Sequence, residues 1–527
     1  MTEALAARLD LDLAWRRTKW DVGNRNFVSH PFELDVLNLS LTDWLEQLRS
    51  EIADGSYSAK DCEILDFPKP GFLVRPAARL ECQDYLVYCA LGQVVMDCVH
   101  GPLRALLNID YSYQPRSSRD AVPWFTWRLR GWQQFAAASI RRLEQGATHV
   151  VFTDLVGFYE NVDLERIRYA LLSVGMEAEA LGLLMKCLRK WAGPRGRGIP
   201  QGTSVSDLLA KLYLEPVDHL LRRSGFHHLR YVDDVRVFCR SLVEARKAIQ
   251  KITALMRERG LSLQSAKTEI HDAAAARAKI EGGVPEIQEL EQQLVGEARR
   301  QFGWIGQYLY PDDLKRLQRE LAEGATREAI ETAFRERVLA PDRRFDASLF
   351  HYLIKRLGAV NSPIAQEFAI RQMTERPEET AIVLDYLKQL GPLVESVRAV
   401  IECAESADTI YDFQRFEILR WLWSLESIEE EIKDVVLGLA RSVIDERGAP
   451  LWLRAFAVAL LGRHGDGADL EAIEEHYPTS LTELERAIVL CALQRMHKAR
   501  RNAVYARSSG DGFLVASAIR WVKTQDG

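Results

Sequence analysis

Two patterns of apolar positions divide the chain. Between about residues 148 and 240, short β-rich runs alternate with helical ones. HVVFTDL reads as a strand, VDLERIRYALLSVG as a helix, and LRYVDDVRVFC as two short strands of a hairpin around an acidic pair. GPRGRGIPQGTSVSD is a loop punctuated by Gly and Pro that runs into the apolar helix LLAKLYLEPVDHLLRR. Residues 242–259 have helical periodicity that ends at Gly260, and LSL after it reads as a short strand. The layout of this part is α+β.

Beyond about residue 275 the strand patterns stop. HDAAAARAKIEGG reads as helix, and amphipathic helices then follow one another, interrupted by Gly282-Gly283-Val284-Pro285, by Pro311, Pro341 and Pro363, and by Gly391-Pro392. A loose repeat emerges towards the end: FEILRWLWSL from Phe416, WLRAFAVALLGRHGD from Trp452, ELERAIVLCALQRM from Glu483 and FLVASAIRWV from Phe513. Similar helices every 30–40 residues are what stacked helix pairs of a HEAT-type solenoid produce, since one pair cannot bury its own apolar face. An ordinary helical bundle is the other reading. The expected domains are residues 1–275, α+β, and 276–527, all-α.

Composition supports conventional cores. Of 527 residues 47% are apolar and 27% charged, which excludes disorder, collagen-like repeats and small disulfide-stapled scaffolds. The N-terminal MTEALAARLDLDLAW holds acidic residues and no continuous apolar run, and no later stretch approaches the ~20 apolar residues of a membrane span. A cytoplasmic protein without a membrane partner is expected. The eight cysteines form no CxxC pair and have no histidines at zinc spacing, so they read as reduced core thiols. A net charge of −6 argues against a nucleic-acid partner when taken whole, but the charge is uneven. Residues 101–250 carry +7, between an acidic start and a tail, 301–527, of −7.

The basic segment also holds the clearest chemistry. Asp154 ends the run HVVFTDL, and Asp233-Asp234 sit in the turn of YVDDVRVF. If the two strands are neighbours in one sheet, three carboxylates meet at its edge. Such a cluster repels itself unless cations neutralise it, and Mg²⁺ prefers oxygen ligands of this kind together with substrate phosphates. Two ions about 3.5–4 Å apart would activate an attacking oxygen and stabilise a leaving one in phosphoryl transfer. An Asp-Asp pair in a turn can equally be a solvated loop.

The strings LVRPAARL, FTDLVGFYENVD, GIPQGTSVSDLLAKLYL, RYVDDV and GLSLQSAKT occur in the order and approximate spacing of the fingers and palm motifs of reverse transcriptases. Over about residues 60–275 the chain resembles that family. The resemblance implies a right-hand polymerase fold, with Asp154 and Asp233 as the main ligands of two Mg²⁺ ions, Asp234 as the adjoining carboxylate and the Leu155 carbonyl as a further ligand. Tyr159 matches the family's steric gate, whose ring would collide with a ribose 2′-OH. Pro200, Gln201 and Gly202 match the loop beside nucleotide and template, where glycine allows close backbone approach and the Gln amide both donates and accepts. Arg195 and Arg197 just upstream are candidates for holding nucleic-acid phosphate. Lys69 and Arg75 resemble residues that clamp the incoming triphosphate, Arg79 being a substitute in a loose alignment. Lys267 matches a lysine that approaches the triphosphate and assists proton delivery to the pyrophosphate leaving group.

The chain departs from the family after Lys267. It has no clear primer-grip hairpin, no RNase H pattern of spaced carboxylates and no Cys-rich nuclease segment. A polymerase palm with a HEAT-like α-repeat tail, whose start stands in the place of a thumb, is similar to the abortive-infection and defence-associated reverse transcriptases of bacteria. That resemblance implies anti-phage defence, a homo-oligomer, and an RNA-directed DNA polymerase that adds dNTPs to a 3′-OH or a protein hydroxyl. RNA, single-stranded DNA or both are the nucleic-acid partners it implies. Two alternatives remain open: template-independent synthesis on the same fold, and a non-catalytic nucleic-acid-binding scaffold. Tyr505, in the basic stretch KARRNAVYARSSG, is one hydroxyl in a flexible-looking setting.

Overall fold

The computed structural model describes residues 2–24, 30–116, 118, 120–126, 128–281, 327–340, 344–391, 393–479 and 482–525. The breakers expected at Gly282-Gly283-Val284-Pro285, Pro311, Pro341 and Pro392, and any thumb-like element in 282–326, lie outside the described residues. Contacts divide the chain into two units: residues 1–28, 41–65 and 76–282, and residues 29–40, 66–75 and 283–527. The expected boundary at 275/276 falls inside the last helix of the first unit, Ala273–Glu281. Two short segments of the first hundred residues also group with the helical tail, which no sequence pattern indicates.

The first unit is organised by a four-stranded sheet in the order β4-β5-β3-β6. Its strands are β3 (His149–Thr153), β4 (His227–Tyr231), β5 (Asp234–Cys239) and β6 (Glu269–Asp272); β1 (Glu63–Lys69) and β2 (Leu73–Arg79) pair separately. All neighbours in the sheet are antiparallel, with Val150 opposite Phe238 and Thr153 opposite Val235. Because side chains alternate across a strand, Val150, Phe152, Leu229 and Phe238 share one face, and they pack with Phe135 and Ala138 of the helix Arg128–Glu144 and with Ala276 and Ile280. Each buried Val, Leu, Ile or Phe among them contributes about 1.5–3 kcal/mol. The helix Leu242–Glu258, which buries Ala245, Ala248 and Ile252, packs against β3 and β5.

Local signals explain the element ends. Thr203 accepts from Ser206 N and caps the helix Ser204–Arg223, which therefore begins before LLAKLYL. Asp163 caps Leu164–Ser173 in the same way. Two expectations need correction. LSL is not a strand; only Leu263 bridges, to Leu155. The fourth strand is instead Glu269–Asp272, so His271 and Asp272 are extended and the helix starts at Ala273. Pairing with the open edge of β3 overrides the helical appearance of those residues.

The expectation of no membrane-length apolar segment is also corrected. The helix Cys82–Arg104, with 23 residues, is long and apolar enough to cross a bilayer. It is a core helix here: Tyr85, Leu86, Val87, Tyr88, Cys89 and Leu91 are all completely shielded, against the helices Leu11–Asn24 and Ser204–Arg223. All eight cysteines are free thiols, and all but Cys62 and Cys98 are buried.

Among the described residues after 281 every regular element is helical. The four repeated segments are the helices Asp412–Trp423, Leu451–His464, Glu483–Ala492 and Phe513–Thr524, and each packs on the next. Gln366–Glu375, Val394–Glu405 and Glu430–Asp445 form a second such row. Packing between alternate helices is the arrangement of stacked pairs. The early segments that join this unit do so through aromatic contacts: Phe32 meets Trp423 and Trp521 at ring centroids of 5.6 and 5.4 Å, and Phe67 meets Phe413 at 3.9 Å. The Tyr411 hydroxyl donates to the Phe72 carbonyl at 2.8 Å.

One close approach sets a stability expectation for the stack. A Cβ on Gly462 would stand 2.5 Å from the Ala492 carbonyl oxygen and 2.7 Å from its Cβ. Gly462→Ala should therefore destabilise the helical unit by about 1–3 kcal/mol through overpacking, read as a lower urea midpoint. An unchanged midpoint would mean that the two helices are not in this contact.

Candidate active site

The sheet brings the three carboxylates together. Thr153 pairs with Val235, so Asp154, next along, leaves β3 beside Asp234 at the start of β5. Tyr231 pairs with Asp234, which leaves Val232 and Asp233 as a two-residue hairpin turn. Val232 has φ of 58°, a left-handed value usually left to glycine at the first position of such turns.

The electrostatics follow from this crowding. Burial first, and then the Asp154 and Asp234 charges, push the Asp233 carboxyl up to about 6. Burial also raises Asp234, opposed by the Arg236 guanidinium. Asp154 is balanced by a cation: its Oδ2 accepts from Lys267 Nζ at 2.5 Å, and this contact raises the Lys267 pKa. Lys267 lies in a short 3-10 turn, Ser265–Lys267, tied down by Gln264 N–H donating to the Asp154 carbonyl at 2.8 Å. In that bridge the bonds run from Gln264 to Asp154 and from Val156 to Ser262, and the Leu155 carbonyl takes part in neither. Among the described residues no group of three or more His, Cys, Asp or Glu is arranged to hold a metal ion. The donor set nonetheless fits one, because the carboxylates are hard oxygen donors whose mutual repulsion a divalent cation would relieve.

Tyr159 is buried, 7% exposed, and its hydroxyl donates to Asp207 at 2.6 Å. Burial, then the Asp207 charge and Tyr113, hold that hydroxyl well above the ordinary tyrosine pKa. The proline-glutamine-glycine loop is fixed through its main chain. Gly198 N–H donates to the Val162 carbonyl at 2.8 Å and Ile199 N–H to the Tyr159 carbonyl at 2.9 Å, while the Gln201 carbonyl accepts from Ala78 N–H at 2.9 Å. Pro200 offers its carbonyl to the Thr203 hydroxyl, and Gly202 adopts φ of 107°. Beside this loop is a cleft of about 240 Å³, lined by Ile64, Ala78, Glu160, Trp191, Arg197 and Gln201. Arg195 also lines it and reaches Glu160 at 3.5 Å.

The other expected residues are placed differently. Lys69 and Arg75 lie in the outer part of the β1–β2 hairpin, which groups with the second unit. Arg79 is buried and paired with Glu63 at 2.6 Å, so it is not open to a triphosphate in this state. Tyr505 is corrected outright: it is 2% exposed in the helix Lys498–Ser508, its hydroxyl on the Leu490 carbonyl. The basic residues of that stretch hide a narrow face of Arg501, Val504, Tyr505 and Ser508 that packs inward.

Sequence reasoning missed a buried ionic cluster behind the turn. Asp110, Lys211, Asp218, His228 and Arg230 are each at most 4% exposed. Arg230 Nη2 donates to Asp110 at 2.9 Å and to Asp218 at 2.6 Å, Lys211 donates to Asp110, and His228 meets Asp218 at 3.0 Å. The only available signal was alternation: Arg230 and His228 sit at positions of β4 that face away from Leu229.

Residues 110–309 match the family model for reverse transcriptase (RNA-dependent DNA polymerase). The chain thus carries a reverse transcriptase domain, and its enzyme class is that of a nucleotidyltransferase, an RNA-directed DNA polymerase. Among solved structures the chain is similar to telomerase from Candida albicans in complex with a TWJ fragment of telomeric RNA, at 10% identity and a TM-score of 0.32, covering 75% of this chain and 69% of that one. It is also similar to apo telomerase from Candida tropicalis, at 11% identity and a TM-score of 0.31, covering 88% and 74%. Comparison with curated proteins finds no match.

Proposed function

We propose that the chain is a Mg²⁺-dependent RNA-directed DNA polymerase that adds dNTPs to a 3′-OH or a protein hydroxyl and acts in bacterial anti-phage defence by abortive infection. The observation that carries the polymerase reading is the antiparallel pairing of β3 with β5, which sets Asp154 beside the Asp233-Asp234 turn. Asp154, Asp233 and Asp234, with the Leu155 carbonyl, would hold two Mg²⁺ ions. The ions would supply neutralisation of the triphosphate and activation of the attacking oxygen.

The chain's own groups carry the remaining roles. Lys267 would exchange its Asp154 partner for phosphate and hand a proton to the leaving pyrophosphate. Tyr159, held by Asp207, would bar a ribose 2′-OH. Gln201, Arg195 and Arg197 line a cleft suited to template and phosphate, with Gly202 next to Gln201 in the same loop; for Lys69 and Arg75 the sequence resemblance alone supports a role in clamping the triphosphate. The defence role and the HEAT-like character of the tail are supported by the sequence resemblance and by the row-wise stacking of the tail helices. A homo-oligomer built through that tail and a cytoplasmic location complete the reading.

The test is to purify the chain, extract its nucleic acid, supply dNTPs with Mg²⁺ or with chelator, and sequence the product. Mg²⁺-dependent DNA complementary to a bound RNA is expected. DNA of biased composition without a matching RNA would favour template-independent synthesis on this fold. No incorporation under any metal or primer condition would leave only a nucleic-acid-binding scaffold.

A further inference from the structure

We infer that Arg230 is a positioning residue: its buried guanidinium clamps the Val232 carbonyl and so holds the carboxylate-bearing turn in the geometry that presents Asp233. The inference rests on the polymerase reading for its catalytic consequence, though not for the clamp itself.

The guanidinium is 2% exposed and its donors are committed in a definite order. Nε donates to both oxygens of Asp218, at 3.0 and 3.2 Å, and Nη2 bridges Asp218 and Asp110. The remaining nitrogen, Nη1, donates to the Val232 carbonyl at 2.9 Å. The carboxylates are themselves fixed. Asp110 accepts from Ser112 N–H at 3.0 Å and from the Ser112 hydroxyl at 2.6 Å, and its segment adds a short parallel bridge to β4 through Tyr111 N–H and the Ile109 carbonyl. Lys211 neutralises Asp110 from the helix Ser204–Arg223. Two cations therefore face two carboxylates around one planar fork.

A buried ionic cluster is weak support for stability, because apolar side chains of similar volume often serve as well. What apolar packing cannot supply is a directed donor at a fixed point, and the fork supplies one to the main chain of the turn. Val232 is where such a donor is needed. A β-branched residue at φ of 58° is strained and persists only when its surroundings over-determine it. Its carbonyl belongs to the peptide that leads into Asp233, so fixing that plane fixes where the Asp233 side chain starts.

The test uses the full chain with Arg230→Lys, Val232→Gly and the double variant, read by amide hydrogen exchange over residues 229–235 and by steady-state dNTP incorporation. Arg230→Lys should speed exchange in that segment at least about tenfold relative to the rest of the sheet. It should lower kcat about 10- to 100-fold with KM for dNTP within about threefold. In the Val232→Gly background the same substitution should cost less than a third as much in kcat, since glycine accepts the left-handed turn unaided. A merely structural Arg230 would instead act additively. Should Arg230→Lys not fold, Asp218→Asn releases the fork at its Nε anchor and is expected to show the same local exchange and kcat loss. A folded variant of either kind with native exchange and native kcat overturns the inference, as does rapid exchange across 229–235 in the native chain. If the native chain incorporates no dNTP, the polymerase reading fails, while the exchange data still decide the clamp.

Discussion

Asp233→Asn should abolish dNTP incorporation, by at least about a thousandfold, or roughly 4 kcal/mol of lost transition-state stabilisation, and at the same time make the metal-free chain more stable. The second effect follows from the sign of the shift. Asp233 has its carboxyl raised from 3.8 to about 6 by burial and by Asp154 and Asp234. The folded state therefore binds more protons than the unfolded one between those values, and stability falls as pH rises through that window. The deficit is small below about pH 4 and fully developed above about pH 6. At pH 7 it is on the order of 1–3 kcal/mol, toward the lower end because the turn is partly open to solvent.

The Asn variant, which has no charge to bury, should thus melt higher than the native chain at pH 7 and match it near pH 4. Saturating Mg²⁺ should narrow or reverse the gap, because the native chain, with all three carboxylates, gains more linkage stabilisation from the ion. Incorporation by Asp233→Asn equal to that of the native chain would sink the site assignment. Equal melting at pH 7 would show that the carboxylates do not repel as the geometry requires.

Substitutions at Tyr159 separate the proposed gate from the bond to Asp207. Tyr159→Phe keeps the ring but removes the bond to Asp207, so deoxynucleotide selection should persist while stability drops by about 1–2 kcal/mol. Tyr159→Ala removes the ring, and ribonucleotide incorporation should rise at least about tenfold relative to deoxynucleotide. Because the ring is buried, the Ala variant should also lose about 3–5 kcal/mol, so the sugar ratio is best measured at low temperature. An unchanged ratio in the Ala variant, with the protein still folded, would remove the gate role. A changed ratio in the Phe variant would move that role from the ring to the hydroxyl.

What could be seen beforehand depended on whether a signal was local. HVVFT and VRVFC alternate in a way that burial on one sheet face explains, and Asp154 and Asp233-Asp234 stand at their ends, so the meeting of three carboxylates was legible. The repeated tail helices were legible because stacking demands similar apolar faces at regular spacing. Residues whose role depends on distant partners were not. Arg230 looks like any basic residue of a basic segment until Asp110, Lys211 and Asp218 close around it from over 100 positions of chain. β6 is a strand only because β3 offers an open edge. Phe32 and Phe67 join the helical unit through Trp423, Trp521 and Phe413, which no local pattern near either phenylalanine announces.

The proline-glutamine-glycine loop is fastened by the amides of Gly198 and Ile199 on one side and the carbonyl of Gln201 on the other. None of these bonds uses a side chain of the loop. The contour depends on its glycines, with Gly198 at φ of 97° and Gly202 at φ of 107°, but these bonds take nothing from the Gln201 side chain, so the Gln201 amide can be exchanged for other groups without loss of them. On the proposed polymerase reading, single substitutions at Gln201 would shift template or base preference while the scaffold stays constant.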